Sequence, residues 1–199
     1  MKQTMYRQYQ MGFIEVICGC MFAGKTEELI KRIRVFEYAK KKVVAIKPTI
    51  DNRYSESKIV SHAGSMCDCI TVDIHDIKQI EELINDKTID VVIIEEVQFF
   101  DFEIVDVCER LADAKKRVIV CGLDMDFRGE PFPVTAALLA KAEFVTKLSA
   151  VCTICGAPAT RTQRLINGNP ASYDDPIVLV GAKDCYEARC RRHHQILKK

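Results

Sequence analysis

The sequence predicts an α/β fold, a P-loop domain with a mainly parallel sheet, followed by a small zinc-binding domain at the C-terminal end. Three observations lead there. An apolar run from Phe13 to Cys18 breaks into Gly19-x-x-x-x-Gly24-Lys25-Thr26 and then into an amphipathic helix. Apolar strand patterns go on alternating with helical ones as far as Leu148, which implies parallel strands covered on both faces. From Cys152 the chain changes to short strands and turns, with half-sites C-x2-C and C-x2-H.

Residues 1–11 are polar and read as a disordered leader. The strand, glycine loop and helix that follow form a P-loop, residues 12–149 are read as the nucleotide-binding domain, and 150–199 as the zinc-binding domain. Loop amides and the positive helix end converge on one point, where a triphosphate is stabilised. Gly19 and Gly24 allow the backbone angles, Lys25 reaches the β- and γ-phosphates, and the Thr26 hydroxyl ligates magnesium. Leu29, Ile33 and Phe36 form the inner stripe of the helix. Lys40 to Lys42 mark its charged end.

Val43 to Lys47 reads as the second strand, closed by Pro48. The polar segment from Thr49 to Lys58 falls where α/β folds place functional loops, so Asp51, Arg53 and His62 are candidates there. Ile70 to Val72 is a short strand. Asp76 to Asn85 reads as a helix with Ile77, Ile80, Leu83 and Ile84 inward. Asp90 to Glu95 is a central strand ending in two acids, the Walker B arrangement. Adjacent strand residues point in opposite directions, so Glu95 is expected at the magnesium and Glu96 at the acceptor as general base. Water or a hydroxyl remain equally open as that acceptor. A helix from about Phe102 to Ala114, strand Arg117 to Cys121, helix Val134 to Lys141 and strand Phe144 to Leu148 complete the alternation.

After Ala150, Asn167-Gly168-Asn169-Pro170 signals a hairpin or loop. Cys152, Cys155, Cys190 and His193 have the spacing of a closed, structural zinc site, with His194 and Cys185 as alternative ligands. Such a metal holds together a unit too small for a full core. Cys67 and Cys69 have no evident partners, and Cys18, Cys108 and Cys121 read as small core residues.

Charge and targeting signals narrow the classes. Lys+Arg total 29 against 28 Asp+Glu, which gives no support to a broad nucleic-acid footprint. No apolar segment is long enough for a signal core or a membrane span, so the chain reads as cytoplasmic with reduced thiols. Two other readings stand beside a kinase. A RecA-like motor ATPase would show DNA-stimulated hydrolysis. A zinc-ribbon nucleic-acid module would draw on Arg161, Arg164, Arg189, Arg191 and Arg192.

The motifs GCMFAGKT, KPTIDNRY, IEEVQFF, GLDMDFRGEPF, CTIC, GAKDCYEARC and CRRH, in this order from about Gly12 to His194, resemble the type II thymidine kinase family. The resemblance implies a RecA-like domain with a zinc-bearing lasso domain, a homotetramer, and transfer of the ATP γ-phosphate to the 5′-hydroxyl of thymidine. Deoxyuridine is a further implied acceptor, and thymidine triphosphate an implied feedback inhibitor. It assigns Gly19, Cys20, Met21, Phe22, Ala23, Gly24, Lys25 and Thr26, with Glu95, Glu96, Val97 and Gln98, to ATP and its Mg2+. Asp51 and Arg53 fall in the flexible loop near the nucleotide. Met21, Phe99, Leu123, Phe127, Phe132, Thr162 and Tyr186 match positions lining the nucleoside pocket, and Ile177, Val178, Leu179, Val180 and Gly181 match the strand that reads the base.

Three positions depart from the family pattern: Glu95 where Asp is usual, Cys20 where Pro is common, and Ala23 where Ser is common. Magnesium tolerates little geometric error, so the longer Glu95 matters. Beside Lys25 and a helix end, the Cys20 thiol is expected to have a lowered pKa and to make the enzyme oxidation-sensitive.

Overall fold

The structure, a computed structural model, describes residues 11–49, 58–60, 64–177 and 186–197. The leader (apart from Met11), Asp51, Arg53, His62, Cys185 and the stretch from Val178 to Gly181 lie outside the described residues.

Strand β1 (Phe13–Gly19) runs into the glycine loop and α1 (Lys25–Tyr38). There follow β2 (Val43–Pro48), β3 (Lys58–Val60), β4 (Met66–Asp68), β5 (Ile70–Val72), α2 (Lys78–Glu82) and β6 (Val91–Ile94). A single 3-10 turn, Val97–Phe99, precedes α3 (Ile104–Asp113), β7 (Arg117–Gly122), α4 (Pro133–Lys141) and β8 (Phe144–Leu148). Six strands make one sheet in the order β5-β2-β6-β7-β1-β8, every pair parallel. The P-loop strand lies inside the sheet. β7 separates it from β6, whose end carries the two acids.

Alternation along the strands divides the core in two. Phe13 and Ile17 of β1, with Val91, Ile93 and Ile119, pack against Leu29, Ile30, Ile33 and Phe36 of α1. Ile14, Val16 and Cys18, with Val92, Ile94, Val118 and Val120, face α2, α3 and α4 through Ile80, Ile104, Leu111 and Leu138. Each fully buried leucine here would cost about 2–5 kcal/mol to truncate to alanine. Cys18, Cys108 and Cys121 are core residues, as expected.

α2 is shorter than the apolar spacing predicts. The side chains of Asp73 and Asp76 accept from the amides of His75 and Lys78, so the chain turns before it coils. On the far side Leu83 and Ile84 bond three residues back, in a 3-10 pattern that ends the helix early.

Beyond β8 the strands are short and antiparallel. β9 (Ala150–Val151) pairs with β10 (Pro158–Ala159), and β11 (Arg161–Ile166) lies between β12 (Asn169–Pro170) and β13 (Tyr186–Arg189). Ile166 faces Asn169 across a two-residue turn in which Asn167 (φ 51°) and Gly168 (φ 79°) are both left-handed. That is the type I′ hairpin turn, which asparagine and glycine favour because positive φ costs them least. Among the described residues no helix is long and apolar enough to cross a membrane.

Candidate active site

The glycine loop is pinned from below and from the side. Gly19 has φ 147°, and a Cβ there would stand 2.5 Å from the Leu148 carbonyl of β8, so no other residue fits. The Met21 amide donates to Thr162 Oγ1 on β11 at 3.1 Å, tying the loop to the C-terminal strands. Lys25 Nζ donates to the Cys20 carbonyl at 2.9 Å and thus lies back over its own loop.

Cys20 corrects one expectation. It is 1% exposed, donates its thiol to the Ala159 carbonyl at 3.3 Å, and packs with Ala150, Cys152, Ala159 and Ala188. Burial pushes its pKa up, outweighing the attraction of Lys25. The side chain is aimed away from the loop's anion-facing side and has neither the access nor the charge state of a redox-sensitive thiol.

At the end of β6 the two acids part company. The Thr26 hydroxyl donates to Glu95 Oε1 at 2.9 Å, and Glu95 is 5% exposed. The pair stands at the start of α1, and hydroxyl and carboxylate oxygens are ligand types that a hard divalent cation takes. Glu96 turns elsewhere, and the sequence argument for this needs revision. The strand stops at Ile94, so the divergence does not come from the strand pleat; Glu96 adopts φ 49°, ψ 42°, a left-handed conformation costing about 1–2 kcal/mol for a residue with a Cβ. Its Oε2 accepts from Gln98 Nε2 at 2.6 Å, and Gln98 Oε1 accepts from the Leu123 amide at 3.0 Å.

The loop after β7 brings several pocket candidates together. Phe99 and Phe132 meet edge to face with centroids 6.5 Å apart, and the Phe132 amide donates to the Asp124 carbonyl. Phe127 is buried under Arg164, whose guanidinium lies 5.2 Å from the ring centroid. Tyr186 is half-buried and opposite Arg164 across the β11–β13 ladder. Ile177 does not join them; it is 41% exposed.

Two residues of this region escaped the sequence reading. Asp126 organises the loop, accepting from the amides of Arg128 and Glu130 and from Arg128 Nε. Asp124, also buried, forms an ion pair with Lys147 at 2.8 Å beside the P-loop strand. The hint in the sequence was the pair of acids spaced by one residue, Asp124 and Asp126, in the loop after β7.

The basic residues that favoured nucleic-acid binding are mostly used internally. Arg164 is 2% exposed and donates to the Pro176 carbonyl, Arg161 donates to the Gly129 carbonyl, and Arg189 pairs with Glu187. Arg191 and Arg192 alone of the five are exposed.

Cys152, Cys155, Cys190 and His193 come together with all four ligand atoms within 4.8 Å of one another. Cys152 Sγ and Cys190 Sγ lie 3.6 and 3.4 Å from His193 Nδ1, and Cys155 Sγ lies 3.8 Å from Cys190 Sγ. Zn–S bonds of about 2.3 Å and Zn–N bonds of about 2.0 Å put tetrahedral ligands roughly 3.4–3.8 Å apart, so the four fit zinc. His194 is excluded from that set, since its Nε2–H donates to the Phe127 carbonyl at 2.8 Å. Burial holds its pKa down.

The family model for thymidine kinase matches residues 12–194, from the start of β1 to the end of the Cys3His group. The chain therefore belongs to the thymidine kinase family.

Proposed function

We propose that this protein transfers the γ-phosphate of ATP to the 5′-hydroxyl of thymidine, and also of deoxyuridine, giving the nucleoside monophosphate and ADP in nucleotide salvage. One observation carries the reading: Thr26 holds Glu95 at the helix start, while a left-handed turn sends the next carboxylate, Glu96, to a different partner. Two adjacent acids so divided suit two tasks. Glu96 accepts the proton of the 5′-hydroxyl as that oxygen bonds to the γ-phosphorus and the bond from phosphorus to the β-γ bridging oxygen breaks. ADP leaves with that electron pair.

Loop amides of residues 19–26 cradle the phosphates, and Lys25 exchanges its bond to the Cys20 carbonyl for the β- and γ-oxygens. Thr26 and Glu95 would hold Mg2+, which supplies neutralisation of the phosphate charge when bound. The nucleoside takes the pocket of Met21, Phe99, Leu123, Phe132, Thr162 and Tyr186, with Phe127 beneath it. Residues 12–149 serve as the nucleotide-binding domain. The remainder, held by structural Zn2+, closes over the nucleoside. A cytoplasmic homotetramer restrained by thymidine triphosphate completes the reading by family resemblance.

The test is transfer of labelled γ-phosphate from ATP to a panel of nucleosides with magnesium. Thymidine and deoxyuridine should be labelled, and purine nucleosides should not. Hydrolysis of ATP with no nucleoside acceptor would sink the proposal in favour of the motor ATPase.

A further inference from the structure

Gln98 is 6% exposed in the 3-10 turn after the two acids, and both ends of its amide are already engaged. The Leu123 N–H can only donate, so the group 3.0 Å from it must be the carbonyl oxygen Oε1. That fixes the flip, and Nε2 is left to donate to Glu96 Oε2 at 2.6 Å. The slot that receives this amide exists because β7 ends in Gly122. A Cβ there would lie 2.3 Å from Gln98 Oε1 and 3.2 Å from Val97 Cγ1.

We propose that Gln98 is a positioning residue for Glu96, and that its side chain serves the base and not the nucleotide to which sequence resemblance assigned it. The inference rests on Glu96 being the base. A carboxylate at the end of two rotatable bonds samples several directions, and a donor held in one orientation selects one of them. The anchor for that donor is the amide of Leu123, in the loop that also carries Phe127 and Phe132. Aim of the base is thereby coupled to the seating of the loop that lines the nucleoside side. A displacement of about 1 Å in such a group costs about 100-fold in rate.

Gln98→Glu tests this with little change of shape. It keeps an acceptor for the Leu123 amide and replaces the donor with a second carboxylate facing Glu96. Two carboxylates in contact share a proton at neutral pH, which removes the base until the pH is raised. Expected at pH 7 is a fall in kcat of about 100-fold with KM for ATP unchanged, and an acidic limb of the pH–rate profile moved to higher pH than in the native enzyme. Gly122→Ala provides an independent push on the same amide oxygen, and kcat should fall with KM for ATP unchanged.

Thermal melts and zinc content identify variants that are folded. A rise in KM for ATP with an unmoved pH profile would overturn the proposal and return Gln98 to the nucleotide. Native kinetics in both variants would overturn it equally. Glu96→Gln, assayed in parallel, separates the two claims. If it retains transfer the base assignment fails, whereas if it is inactive and the Gln98 and Gly122 variants behave as native, only the positioning role fails.

Discussion

A charged residue inside the P-loop strand sets the sharpest energetic condition at the scale of single residues. Glu15 is fully buried on β1, facing α1, and lies 3.2 Å from Arg32 Nε. Arg32 also reaches Glu28, with Nη1 2.6 Å from Oε1. Glu15 Oε2 has no hydrogen-bond partner among the described residues. Removing the cation from a buried pair leaves an uncompensated charge, whereas replacing both partners by apolar groups removes the desolvation cost as well. Arg32→Met should therefore destabilise the protein by about 3–5 kcal/mol, and Glu15→Leu with Arg32→Met should recover most of that loss. Urea unfolding of the three proteins checks it. A double variant no more stable than Arg32→Met would mean that Glu15 is not the source of the penalty. The placement of Glu95 beside Thr26 was legible at this scale, because a P-loop followed by an acid at the end of a buried strand restricts where that acid can lie. The direction of the Cys20 thiol was not, since only the packing of residues 150–190 against the loop decides whether it faces phosphate or core.

Elements were readable where local rules suffice. The glycine loop with α1, the apolar β6, and the Asn167-Gly168 turn each carry their own conformational signal, and each stands close to where spacing put it. α2 was misjudged because aspartate side chains compete with the helix for backbone amides, a contest that apolar periodicity does not register. The C-terminal strands are expected to depend on the Cys3His group. Cys152 follows β9, Cys190 follows β13, and the core between them is small, centred on Cys20, Ala150, Cys152, Ala159 and Ala188. Removal of the metal should release these strands and, through Met21–Thr162 and Cys20–Ala159, loosen the glycine loop. Chelator treatment and Cys152→Ser should each abolish transfer while the parallel sheet keeps its own thermal transition. Full activity in protein proven free of zinc by metal analysis would contradict this.

For the whole molecule, alternation of strand and helix was enough to give a parallel sheet, but not the neighbour of each strand. That β7 lies between the P-loop strand and β6 is set by long-range packing. It leaves the end of β7 beside both the loop and the acids, so that Gly122 and Leu123 receive Gln98. The arginines of β11 likewise revealed their role only once the C-terminal strands were seen lying against the loop after β7, where Arg164 covers Phe127. The glycine loop, the paired acids and the loop after β7 thus meet at the carboxyl ends of the central parallel strands, and the reaction proposed for that end of the sheet depends on Glu96. The measurement that tests it most directly compares native protein with Glu96→Gln, by thymidine phosphorylation and by calorimetric binding of ATP with magnesium. Expected is a loss of transfer of about 100–10,000-fold, the range for removal of a general base, with nucleotide affinity unchanged. Transfer at the native rate by Glu96→Gln would show that the proton goes elsewhere and that the division of labour between Glu95 and Glu96 is wrong.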